Sequence, residues 1–137
     1  MHTRGSFAPE TATQARERYE AVGPTAQILL KQVAKAMKFD SEEYERRVTS
    51  EVVETAREVL FAADLHVRVG TREEYENWLG GREYEVTERG NPNVSRVAWH
   101  AAPFAEAVVA ATFEHEEDAA VETLRRQAFG SVYRGIV

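Results

Sequence analysis

The sequence predicts an α+β fold: a helical N-terminal half packed on a small three-stranded antiparallel sheet, closed by a C-terminal helix. Two periodicities carry this reading. Up to about Ala63 the apolar residues recur with helical spacing, whereas from Leu65 they alternate as in strands. The last segment, Glu116 to about Arg134, has acids in its first turn and arginine near its end, the order a helix dipole favours.

Met1 to Pro9 reads as a flexible tail before a single domain over 10–137. Thr11 and Gln14 have capping-box spacing, so a helix should start there and run to about Val22. Gly23-Pro24 should stop it and open a second helix, because proline suits the first helical position. In that second helix, Ala26, Leu29, Leu30, Val33 and Met37 follow an i, i+3, i+4, i+7, i+11 pattern and form the expected core stripe. Asp40 with Glu43 caps a short helix to Val48, and Thr49-Ser50 separates it from a fourth helix. There Val52, Val53, Ala56, Val59, Leu60 and Ala63 form one stripe.

Leu65 to Val69 alternates strictly, as a half-buried strand does. Thr71 with Glu74 is another capping box, opening a short helix through Trp78 that Gly80-Gly81 ends. Arg82 to Asn93 is polar and reads as mostly loop, with Tyr84 and Val86 able to make a short edge strand. Val94–Ala101 and Glu106–Phe113 are branched apolar runs joined by Ala102-Pro103-Phe104-Ala105, the pattern of an antiparallel hairpin.

Composition narrows the function. The 137 residues include no cysteine, which excludes disulfides, thiolate zinc sites, iron–sulfur clusters and cysteine nucleophiles. No apolar run approaches the roughly 20 residues of a membrane span, and Met1 to Phe7 lacks a signal-peptide core, so a cytoplasmic protein is expected. The net charge of −6 opposes non-specific binding to nucleic acid or membranes. There are 14 arginines but only 3 lysines, which suits a GC-rich genome or a salt-adapted cytoplasm.

Two basic features stand out in this acidic chain. Alternation places His66 and Arg68 opposite Val67 and Val69, and Arg96 and His100 opposite Val97 and Trp99. If these strands are neighbours, two arginines and two histidines share one open face, a chemistry suited to an anionic ligand. The ordinary alternative is a solvated polar face. Lys31, Lys35 and Lys38, at i, i+4, i+7, make a stripe that could meet a phosphate or an acidic partner, or simply solvent. Val33 to Val48 has rough helix-turn-helix spacing, but Lys38 holds the turn position and Glu42, Glu43 and Glu45 would repel phosphates. His115 lies among acids without the i, i+4 spacing of a helical metal pair. His100 and Glu114 are the one acid–base pair the hairpin could bring together. No nucleophile elbow, phosphate loop or dinucleotide fingerprint is present. No catalytic residue, cofactor or metal is therefore assigned.

The runs Trp99-His-Ala-Ala-Pro-Phe104, Phe113, Glu116 to Val121 and Leu124 to Phe129, with Gly23 to Gln27 and Ala34 to Met37, resemble an uncharacterised protein family of halophilic archaea. The resemblance spans nearly the whole chain. It implies a salt-adapted cytoplasmic origin and no particular activity. The expected function is a non-enzymatic interaction or binding module with an unidentified protein partner. A homodimer could pair through a sheet face carrying Ala98, Val108 and Ala110. The alternatives are a nucleic-acid-binding protein and a small enzyme or anionic-ligand binder using His66, Arg68, Arg96 and His100.

Overall fold

The computed structural model describes residues 1–137. The chain runs through β1 (His2–Arg4), α1 (Ala12–Ala36), α2 (Ser41–Arg47), α3 (Ser50–Ala62), β2 (Val67–Thr71), α4 (Arg72–Leu79), β3 (Glu85–Arg89), β4 (Arg96–Ala102), β5 (Ala107–Phe113) and α5 (Glu117–Ala128). A π-helical turn, Phe129–Tyr133, continues α5. The helix starts lie at the hydroxyl and carboxylate caps. Thr11, Asp40, Thr49 and Thr71 each accept the backbone N–H three residues on, and Glu74 completes a capping box by accepting from the Thr71 N–H.

The α+β class stands, but the expected three-stranded antiparallel sheet is corrected to a five-stranded mixed one. Its order is β1-β2-β4-β5-β3, antiparallel except for the parallel β3–β5 pair. The two extra strands are both edges. An edge strand needs one hydrogen-bonding neighbour and no apolar alternation, so His2-Thr3-Arg4 gives no strand signal, while the short edge strand expected around Tyr84 and Val86 forms as β3. The segment read as a tail thus supplies β1. The parallel pairing follows from the path between β3 and β4, which crosses the end of β5. Gly90 makes that crossing at φ +97°, and a Cβ there would collide with Thr112 Oγ1.

The expected helix break at Gly23-Pro24 is also corrected: α1 is continuous, with Pro24 inside it. Proline removes one helical hydrogen bond and crowds the preceding turn. A tertiary contact supports this turn. Arg57 of α3 donates Nε to the Tyr19 carbonyl at 2.8 Å, and its guanidinium lies over the Tyr19 ring at 4.3 Å. Gly23 leaves room for it, since a Cβ there would approach Arg57 Cζ to 3.3 Å.

The helices α1, α3 and α5 cover one face of the sheet. Phe61, Leu65, Val67, Val69, Ala98, Val109, Val121 and Leu124 are buried there. Phe61 is the hub, with Phe7, Tyr19, Phe129 and Tyr133 around its ring at 5.1–6.0 Å between centroids. On the other face α4 alone packs, burying Tyr75, Val97, Trp99, Val108 and Ala110. The expected core stripe of the second helix stays largely uncovered. Ala26 and Ala34 are buried, but Leu29, Val33 and Met37 are exposed, as are Val52 and Val59 of α3. The outer half of α1 extends beyond the sheet, so its apolar side has only α2 and α3 to meet.

Candidate functional site

Strand register decides which basic groups meet. Arg68 stands opposite Trp99, and Val69 opposite Ala98. Directly opposed residues share a face. Arg68 is therefore on the α4 face with Trp99, while His100 is on the helical face with Val67 and Val69. This corrects the grouping of Val67 and Val69 with Val97 and Trp99. The sheet is covered on both sides, so β4 is apolar on both, and alternation alone does not tell which side joins which.

α4 is eight residues long, about 12 Å at a helical rise. It covers only part of its face. Beyond its end the chain turns at Gly80-Gly81, with Gly81 at φ +80°, and returns. This turn lays Arg82 over Trp78, 4.4 Å from the ring centroid, where Arg82 Nη1 also donates to the Trp78 carbonyl. Arg68 approaches the same ring to 5.2 Å, and Tyr84 lies 6.2 Å from it. A cavity of about 390 Å³ opens between these side chains and His66, and Ala8, Pro9, Glu10, Ala101 and Pro103 complete its lining.

Neither Arg68 nor Arg82 forms an ion pair. Burial and then the Arg82 charge push the Arg68 guanidinium below its ordinary range. Burial and then Arg68 push the His66 imidazole below its ordinary range, which keeps it neutral at pH 7.

The backbone of His66 is clamped from both sides. Its N–H donates to the Phe7 carbonyl at 2.9 Å, and its carbonyl accepts from His100 Nδ1 at 2.6 Å. Because Nδ1 must carry the proton in that bond, neutral His100 offers Nε2 as acceptor, and the Tyr133 hydroxyl donates to it at 2.6 Å. His100 is buried, and burial lowers its pKa to about 4. Burial likewise raises the Tyr133 phenol above its usual range. The segment from Ser6 to Phe7 is tied down by Asp64, whose carboxylate accepts from the Ser6 hydroxyl at 2.5 Å and whose carbonyl accepts from the Phe7 N–H at 2.8 Å.

Of the four sheet residues singled out, the structure thus brings His66 and Arg68 to the cavity. His100 sits on the opposite face, behind the His66 backbone. Arg96 is at the far end of β4, about 16 Å from Ala101 at strand rise, over the Phe113 ring and 3.6 Å from Glu117. Lys31 and Lys35 line a shallow groove with Phe39 and Tyr44 of the α1–α2 junction. Lys38 lies past the end of α1 at φ +59°, so the stripe of three is not one helical face. Ala98, Val108 and Ala110 are buried inside the chain, the first on one face and the others on the opposite one, so they offer no surface for pairing. His115 is exposed, and the neighbouring Glu117 is engaged by His2, Arg4 and Arg96.

Sequence reasoning missed Glu10, Trp78, Arg82 and Tyr84. The signal was present in Trp78-Leu-Gly-Gly-Arg-Glu-Tyr84, where a double-glycine turn folds an arginine and a tyrosine back toward a tryptophan. No helix of the chain is long and apolar enough to cross a membrane.

Comparison with known proteins returns one family. No curated protein and no solved structure matches the chain. The model of a family of unknown function, DUF5809, matches residues 6–134. That match covers the cavity, its clamp and all but the first strand of the sheet, and by it the chain belongs to DUF5809, a family of unknown function.

Proposed function

We propose that this protein is a non-enzymatic binding module whose cavity takes a small anionic ligand on Arg68 and Arg82. One observation carries the reading. In a chain with 23 acidic and 17 basic residues, two neighbouring guanidiniums stand in a concave site with no carboxylate paired to either. Like charges in a partly desolvated site repel, and a bound anion removes that cost. Neutral His66 and the Tyr84 hydroxyl add hydrogen-bonding groups without adding charge. A half-closed site is also screened less than open surface, which suits the salt-rich cytoplasm that the sequence resemblance suggests.

The test is calorimetric titration of the protein with citrate, succinate, phosphate and pyrophosphate at low and high chloride. At least one anion should bind, and Arg68→Ala with Arg82→Ala should abolish the heat. Flat titrations with all four would remove the proposal.

A second reading, an interaction module or homodimer, is favoured by a different region. Ile28 and Met37 are each 60% exposed, and Leu29, Val33, Val52 and Val59 are exposed with them on α1 and α3. Exposed apolar side chains concentrated on these two helices are the material of an association surface. Light scattering at rising concentration tests it: self-association that Met37→Glu abolishes supports a dimer, and a monomer throughout argues against one.

A further inference from the structure

We infer that the ligand of this cavity is a phosphate monoester whose organic body carries hydroxyl or amine donors. This rests on the anion-binding reading above and sharpens it.

The donor set selects the anion. A carboxylate has two oxygens, and one arginine fork satisfies it bidentately. Here two guanidiniums, Arg68 and Arg82, lie over one Trp78 ring at 5.2 and 4.4 Å, Arg82 giving one nitrogen to the Trp78 carbonyl and keeping its others free, and His66 and Tyr84 line the same cavity. A phosphoryl group offers three terminal oxygens and a charge near −2, which matches two guanidiniums and leaves an oxygen for a neutral donor.

Cavity size asks for more than the phosphoryl group. About 390 Å³ falls in the range of small-molecule sites, roughly 300–1,000 Å³. Beside the cations the wall is apolar, from Pro9, Ala101 and Pro103. The remaining polar group is the Glu10 carboxylate. Its backbone N–H is bonded to Gln14 Oε1 at 2.7 Å, which holds the residue in place, while the carboxylate itself makes no ion pair. A carboxylate accepts from hydroxyls and amines and repels further phosphates. The cavity therefore suits one phosphate at the arginine end and donors at the Glu10 end, and it disfavours polyphosphates. Sugar phosphates and nucleoside monophosphates share this chemistry.

The experiment is calorimetry on the full chain with five probes: inorganic phosphate, ribose 5-phosphate, adenosine monophosphate, adenosine and succinate. Wild type is compared with Arg82→Ala and Glu10→Gln, two exposed positions whose folding is checked by circular dichroism. At least one monoester should bind tenfold or more tightly than inorganic phosphate. Arg82→Ala should weaken it tenfold or more. Glu10→Gln should weaken the monoester severalfold while leaving inorganic phosphate unchanged or tighter. A preference for ribose 5-phosphate identifies a sugar phosphate, and a preference for adenosine monophosphate a nucleotide. Succinate binding tighter than either ester overturns the inference and leaves the anion site standing. Inorganic phosphate binding as tightly as the esters, or adenosine binding as tightly as its phosphate, also overturns it. If nothing binds, both this inference and the anion reading fall.

Discussion

The two faces of the sheet are built from the same alternating strands and end in opposite states. Three helices cover one face, and α4 alone covers part of the other. His100 and His66 show the difference. His100, on the covered face, has a partner on each ring nitrogen and lies out of reach of solvent. His66, whose carbonyl is one of those partners, lines an open cavity beside two arginines without ion pairs. Where cover is complete, polar groups must be satisfied within the chain, since a buried unsatisfied group costs about 1–3 kcal/mol. Where cover stops, solvent or a ligand can satisfy them. The gap in the cover is thus what makes the cavity a candidate site.

Four measurements would break or sharpen that contrast. The largest effect is expected at the hub of the covered face. Phe61→Ala should lower stability in urea denaturation by about 3–5 kcal/mol, the range for a buried aromatic truncated in a tight core. Trp78→Ala, at the cavity edge, should cost about half as much or less, because part of its surface already meets water. Equal losses at the two sites would mean that the open face is as tightly built as the closed one.

Next comes pH. Folded His100 titrates at about 4, below the ordinary histidine value of 6.5. Between those values the unfolded chain binds a proton that the folded chain refuses. Stability should therefore be full above about pH 6.5 and fall toward pH 4, by up to about 3 kcal/mol from this group. Carboxylates held low in the folded state, such as Glu117 and Asp64, add their losses at more acid pH. Denaturation midpoints from pH 7 to 4 for wild type and His100→Gln separate the two, since the variant should flatten the upper part of the curve. An unchanged slope would show that His100 is not the titrating group.

A smaller effect is expected at Tyr133→Phe, which leaves His100 Nε2 buried without its donor. The cost should be about 1–3 kcal/mol by denaturation. The smallest belongs to the open face. Arg68→Ala should change stability by no more than about 1 kcal/mol, because the side chain has no ion pair to lose, a like-charged neighbour to escape and only a cation–π contact with Trp78 to give up. A large loss there would assign Arg68 to the fold and away from ligand binding.

Parts of this molecule were legible because their causes are local. Thr11, Asp40 and Thr71 cap helices through bonds to the residue three positions on, so spacing alone reveals them. The β4–β5 hairpin was legible because two branched runs flank a short turn. Of the cavity, His66 and Arg68 were legible as the polar phase of an alternating strand. Glu10, Trp78, Arg82 and Tyr84 were not, because each enters from a segment whose path depends on other parts of the chain. The same holds for Pro24, which reads as a helix boundary until Arg57, 33 residues further along the chain (57 minus 24), is seen packed against that turn.

By itself, then, the sequence determined the α+β class, the helix starts at the hydroxyl and carboxylate caps, the central hairpin and the alternation of β2. These follow from backbone preferences and hydrogen bonds within a few residues. Only the tertiary structure decided the parity of β2 against β4, the parallel seating of β3 and the use of the N-terminal segment as an edge strand. It also decided how much of the apolar stripe of α1 stays uncovered. A strand whose two faces are both apolar carries no mark of which face is which. That choice is made by the partner strand, and a shift of one residue would carry Arg68 from the cavity into the core.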